Sequence, residues 1–392
     1  MTTTAVQYLE YAPRNATPAK VRQRLRQAFE LLPISIVILG WDLPPRLEEA
    51  VAEETTRHNA TLYRWHPLLA SDAGFALPNE WQPINLRGEP IPGFRGLPEF
   101  TSICPNRTDV QEWIAERIEV TAQRGIYQGL FFDRMRFPSP AENPERHLAC
   151  FCKYCQRIAS DSGLDTSTSL SASLEAVRRQ IESYLTDADR AKAFTQTLFT
   201  TTNDSVLESF FTFRFNSITR IIQYAAKLAR THGLSVGLDC FSPALTRMVG
   251  QDLSALNKSC DWIKLMTYPR VFGPAGLPFE LRALANWLKA RYKLNETEAD
   301  KIVSEASGLS FSKDELESES IVHEIQRGRD AGITNLLAGI ALVEVDGVHT
   351  PTLEQIRSDI AACKNADGLA ISWDLWHIKP EYLSAIQELW GK

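Results

Sequence analysis

No run of this 392-residue chain stays apolar for the roughly 18 positions that a membrane-spanning helix requires. Basic residues are not in excess either. Forty-two Lys and Arg stand against 48 Asp and Glu, a formal charge of −6, which leaves no electrostatic footprint for nucleic acid or an anionic membrane. The opening residues, MTTTAVQYLEYAPRNATPAK, lack the basic start and apolar core of a signal peptide, so a cytoplasmic location is expected. Internal repeats and linker-like stretches are missing, which predicts one domain over 1–392. Oligomerisation is left open. The cysteines number seven, too odd and too unevenly placed for a disulfide framework. Reduced thiols and metal binding are the expectation.

What the chain does have is an alternation of short apolar runs with amphipathic segments. The runs are β-branched or aromatic, as parallel strands buried on both faces should be. Strand candidates are Ile34 to Leu39, Ala60 to Trp65, a short one around Phe100 to Cys104, and Tyr127 to Asp133. Four more follow at Leu234 to Cys240, Trp262 to Thr267, Asn335 to about Val343, and Gly368 to Trp373. Helical patterns separate them, including Pro18 to Leu32, Asp109 to Gln123, Ser205 to His232 and Thr352 to Asn365. Eight strands alternating with helices predict an α/β fold, a single (β/α)8 or TIM barrel. An open doubly wound sheet is the weaker reading, because no Gly-rich turn follows the first strand candidate. Two insertions are expected. A Pro/Gly-rich loop covers 67–99 after the second strand candidate, and a cysteine loop with helical material covers 134–204 after the fourth.

Barrel sites form at the carboxyl ends of the strands. Those ends collect Trp41 and Asp42, Trp65 and His66, Asp133 with Arg134 and Arg136, Asp239, Lys264 and Tyr268, Glu344, and Trp373 with Asp374. Carboxylates among indoles suit a carbohydrate, since sugar C–H faces stack on aromatic rings and glycosidic cleavage uses two carboxyl groups. Asp133, led into by an apolar run, is the first catalytic candidate, with Asp239 or Glu344 as its partner. The remaining mouth residues are candidate substrate contacts. Each acid also has a structural reading, as a helix cap or an arginine partner.

The densest signal is Cys150, Cys152 and Cys155, three thiolates within six positions. Zinc takes four ligands, and His147 or Cys104 is placed to be the fourth. A closed set of four predicts a structural ion. Cys104-Pro105-Asn106 together with Cys150-Phe151-Cys152-Lys153-Tyr154-Cys155 resembles the zinc cluster of glycoside hydrolase family 42 β-galactosidases. That resemblance implies Cys104 as the fourth ligand. FFDRMRFP is similar to the D-x-(I/M)-R-(F/Y)-P strand of glycoside-hydrolase-like barrels. The specific motifs span residues 100 to 155. The family carries Asn-Glu where this chain has Phe132-Asp133, and Glu344 only roughly matches the family's nucleophile on the seventh strand. Cleavage of an O-glycosidic bond is therefore the expected reaction. The alternatives are a carbohydrate-binding or transglycosylating barrel, or a hydrolase that uses the cysteine-bound zinc catalytically.

Overall fold

Strands buried on both faces must satisfy their backbone groups by pairing, and closing the sheet leaves no edge to protect. The computed structural model describes residues 3–8, 16–41, 43–71, 75–161, 174–310 and 316–391. Its eight strands are β1 Thr3–Tyr8, β2 Ile36–Leu39, β3 Thr61–Pro67, β4 Gly129–Asp133, β5 Ser235–Phe241, β6 Trp262–Met266, β7 Leu336–Ala341 and β8 Gly368–Ser372. All pair in parallel and in chain order, and β8 closes onto β1 with Ala370 opposite Ala5. The α/β barrel expected from the alternation is the fold observed.

Two corrections concern the amino-terminal half. The first strand, TTAVQY, was not among the candidates, so the segments read as first and second strands are β2 and β3. The long 67–99 loop accordingly follows the third strand rather than the second. Phe100 to Cys104 is not a strand. It begins in a short 3-10 turn, Pro98–Phe100, and its backbone ties to the loop just past β3, through an isolated bridge between Ala70 and Ser102 and the Ile103 N–H to Leu69 O bond at 3.0 Å. Between β4 and β5 lie the helices Pro144–His147, Lys153–Asp161, Leu174–Tyr184 and Ala188–Thr197, then the long helix Ser205–Thr231. Asp204 starts that helix by accepting the Val206 and Leu207 N–H groups.

Alternation along each strand supplies two cores. Ala5, Ile36, Ile38, Tyr63, Trp65, Phe131, Trp262, Leu337 and Ala370 fill the lumen. The alternate positions, such as Val37, Leu130, Phe132 and Leu238, join the helices in the outer core. Large and small residues interdigitate in the lumen. Trp262 stacks on Phe131 at 5.0 Å and meets the Tyr63 ring edge-on at 5.5 Å. The room for these rings comes from glycines: a Cβ on Gly129 would sit 2.3 Å from Tyr63, and one on Gly237 would sit 2.3 Å from Trp262. These rings pack the lumen beneath the mouth. Because Trp262 is pinned by Phe131, Gly237→Ala should destabilise by about 1–3 kcal/mol, read as a lower denaturation midpoint. An unchanged midpoint would show that the lumen has slack.

Candidate active site and metal centre

Register decides which side chains share a level in the barrel. Phe131 lies opposite Gly237, which puts Asp133 and Asp239 level with each other two residues further on. Asp239 lies opposite Lys264, and Pro67 opposite Asp133. A polar row thus crosses β4, β5 and β6 at the carboxyl ends of the strands, above the aromatic rings.

Within the row, Asp133 accepts the Trp65 Nε1–H at 2.9 Å and the Arg134 backbone N–H, and Arg136 Nη1 lies 3.7 Å from its Oδ1. Lys264 donates to Asp239 Oδ2 at 2.9 Å and to Gln7 Oε1 at 3.4 Å. Both members of that ion pair are buried. The second oxygen of Asp239, Oδ1, is buried without a hydrogen-bond partner. Burial pushes the Asp239 carboxyl up to about 7; the Lys264 ammonium opposes that shift and the charge of Asp133 adds to it. Burial would depress Lys264, but the Asp239 and Tyr268 groups beside it more than offset this and hold it above its ordinary value. Tyr268 donates to Ser372 Oγ at 3.0 Å, with its ring 5.5 Å from the Lys264 ammonium.

Aromatics ring this row. Trp41 and Trp65 lie 5.0 Å apart, and the Arg134 guanidinium sits 5.5 Å from Trp65 and 4.9 Å from Phe100. Trp373 meets Tyr268 edge-on at 6.1 Å. Trp41 and Arg134 follow the ends of β2 and β4 with φ of 55° and 51°. Bulky side chains in that left-handed region are strained, and such strain concentrates at functional sites. Beyond Arg136, whose guanidinium lies 4.5 Å from the Phe241 ring, a cleft of about 440 Å³ opens. Phe94, Phe100 and Phe279 line it, together with Arg95, Glu142 and Glu280. Burial raises the carboxyls of both glutamates.

The structure therefore brings together Trp41, Trp65, Asp133, Arg134, Arg136, Asp239, Lys264, Tyr268 and Trp373. It separates the others. His66 is on the outward phase of β3, packed at 5.8 Å from Phe132 in the outer core. Asp374 is occupied as a cap, accepting Trp376 N–H at 3.1 Å and pairing with His377 Nδ1 at 2.8 Å. Glu344 lies beyond the end of β7, tied to Lys379 at 2.6 Å and to the Tyr382 hydroxyl. Those contacts hold its carboxyl below the usual range and leave it no part in the row. Asp42 lies outside the described residues. Sequence reasoning passed over Gln7, Ser372, Glu142 and Glu280. Gln7 belongs to the unrecognised first strand, and the two glutamates sit in segments with no strand-end signal.

The cysteine cluster forms as expected. Sγ of Cys104 lies 3.8 Å from that of Cys150, 3.7 Å from Cys152 and 3.5 Å from Cys155. All four sulfurs fall within 4.8 Å of one another, a set that can hold a metal ion. His147 is not in this set; it lines the cleft instead. Asn106 donates to Cys155 Sγ at 3.2 Å and the Ile84 N–H to Cys150 Sγ at 3.4 Å, outer contacts of the kind that orient thiolate ligands.

No family model matches the chain, and no curated protein matches it. Solved structures do. The β-galactosidase from the psychrophilic Marinomonas ef1 aligns with a TM-score of 0.55 at 9% identity, covering 98% of this chain and 59% of that one. The α-L-fucosidase isoenzyme 2 from Paenibacillus thiaminolyticus aligns at 0.52 and 10%, covering 100% of this chain and 48% of that one. The chain thus spans about half to three-fifths of the length of these two proteins. At such identity the likeness is one of fold alone, a closed eight-stranded parallel barrel.

The purified protein should carry stoichiometric metal by elemental analysis. Cys155→Ser should lose that metal and lower the thermal midpoint. A metal-free preparation that melts with the metal-loaded one would remove the cluster from the stability of the loops.

Proposed function

We propose that the protein is a glycoside hydrolase cleaving an O-glycosidic bond between Asp133 and Asp239. The carrying observation is their in-register placement on neighbouring strands. Adjacent parallel strands run about 4.8 Å apart, close to the ~5–5.5 Å separation of carboxyl pairs that retain anomeric configuration. The two environments differ, as the roles require. Asp133 faces donors and the Arg136 charge, suited to a carboxylate that attacks the anomeric carbon. Asp239, raised to about 7, carries the proton that passes to the leaving glycosidic oxygen, and its unpartnered Oδ1 is the oxygen available to hold it. In the second step the deprotonated Asp239 takes a proton from the water that releases the sugar from Asp133. A sugar acceptor in place of that water would make the outcome transglycosylation.

The tryptophans and Tyr268 supply stacking faces, and the phenylalanine-lined cleft extends the surface beyond the scissile bond. The metal at Cys104, Cys150, Cys152 and Cys155 is proposed to be zinc. A tetrahedral zinc–thiolate site has sulfurs about 3.8 Å apart, close to the 3.5–3.8 Å from Cys104 to the other three. Four thiolates leave no coordination position for water, so its contribution is to hold the loops after β3 and β4 together. None of the seven cysteines is in a disulfide, which suits a reducing compartment such as the cytoplasm.

The burial of Asp239 and Lys264 favours one second reading, a barrel that binds carbohydrate without cleaving it. A panel of aryl glycosides separates the two. Asp133→Asn should lower kcat/KM at least about a hundredfold, and unchanged turnover would remove Asp133 from the reaction. The proton on Asp239 makes activity fall as pH rises through about 7. Lys264→Met removes the charge that opposes protonation, so the falling limb should move to higher pH. A limb that stays in place would assign the proton to another group.

A further inference from the structure

We propose that the outer wall of β3 carries a binding site for a phosphate-class oxyanion, separate from the barrel mouth and independent of the glycosidase reading. A cavity of about 370 Å³ opens there, flanked by the helices Pro45–Arg57 and Thr108–Gln123. Arg64, His66, Arg117, Arg124 and Tyr127 line it.

Two observations point to an anion, at Arg64 and His66. Arg64 is half-buried, yet among the described residues its hydrogen bonding is limited to the Leu39 carbonyl at 3.3 Å and no carboxylate lies within ion-pair distance. A half-buried guanidinium with a single carbonyl contact keeps donors free for a ligand in the cavity. His66 is only 2% exposed, and its Nε2 is buried with no partner. Burial, and after it the charges of Arg117 and Arg64, keep that imidazole well below its ordinary pKa. It is therefore neutral, with one N–H to offer an oxyanion. Arg117 is fixed in the wall by its bond to the Pro67 carbonyl at 2.8 Å and by the Trp113 ring 4.3 Å away. Among the described residues, the nearby acids leave Arg64 without a carboxylate. Glu48 is taken by Arg124 at 2.5 Å and the Tyr127 hydroxyl at 3.2 Å, and Glu116 stands exposed at the rim.

Inorganic phosphate titrated calorimetrically into the full chain at low ionic strength should give saturable one-site binding that NaCl of matched ionic strength does not reproduce. Arg64→Gln should weaken it about tenfold or more, since charge-assisted hydrogen bonds to the anion are lost. Glu116→Gln, on the surface and harmless to folding, should tighten it. Phosphate should also shift the His66 Nε2 resonance in imidazole ¹⁵N spectra. Absence of phosphate binding, or binding that Arg64→Gln leaves unchanged, would overturn the site. Acetate binding as tightly as phosphate would overturn the ligand class.

Discussion

The parallel register of β4, β5 and β6 is the constraint on which the site depends. Side chains on neighbouring strands share a level only if the strands pair in step, and a slip of one residue would turn every lumen side chain outward. Here the step is set below the mouth, where Gly129 and Gly237 leave room for Tyr63 and Trp262. The packing that fills the lumen therefore also fixes the height at which Asp133, Asp239 and Lys264 meet. Moving either carboxyl would require repacking the rings beneath it.

Above the strands the constraint changes from sheet pairing to loop tethering. The cleft is walled by residues 91–102 from the loop after β3 and 136–147 from the loop after β4. Neither wall contains a long element of secondary structure, so neither has a ladder of its own. The cysteines join them, one from the first loop and three from the second, and Asn85 adds a bond to the Arg146 carbonyl at 3.1 Å. Phe151 N–H to Ile84 O at 2.9 Å makes a further tie beside the cluster. A long loop held at points near its middle loses much of the conformational freedom that would otherwise blur a binding surface.

Legibility followed the strength of the local signal. β2 to β8 are short, mainly apolar runs, with Arg64, Asp239 and Lys264 among their few polar residues, and were readable within a residue or two. β1 was not, because Thr3, Thr4 and Gln7 dilute a six-residue strand whose burial comes only from its neighbours. Phe100 to Cys104 looked like a strand because loop residues that pack into a core are as apolar as strand residues. The cysteine spacing was legible but left His147 and Cys104 both open as the fourth ligand; the resemblance pointed to Cys104, and the geometry agrees. Phase was the weak point for single residues. His66 is next to Trp65 in sequence, and that one step puts it on the opposite face. Glu344 failed for a related reason: past the end of β7 the alternation no longer governs where a side chain points.

The chemistry proposed for the mouth rests on two effects that oppose each other at one carboxyl. Burial alone would drive Asp239 far toward its neutral form, as it does for acids with no charge nearby. An ammonium at 2.9 Å alone would drive it toward the ion. Neither extreme serves a group that must give up a proton and then take one back, because a general acid–base works best with a pKa near the operating pH. With both present, and Asp133 adding its charge, the carboxyl lies at about 7. The buried lysine is then neither a nucleophile nor a simple stabilising partner. Its contribution is to bring a deeply buried acid back to a range where both protonation states are accessible, and burial of the pair makes that effect strong because little solvent screens it.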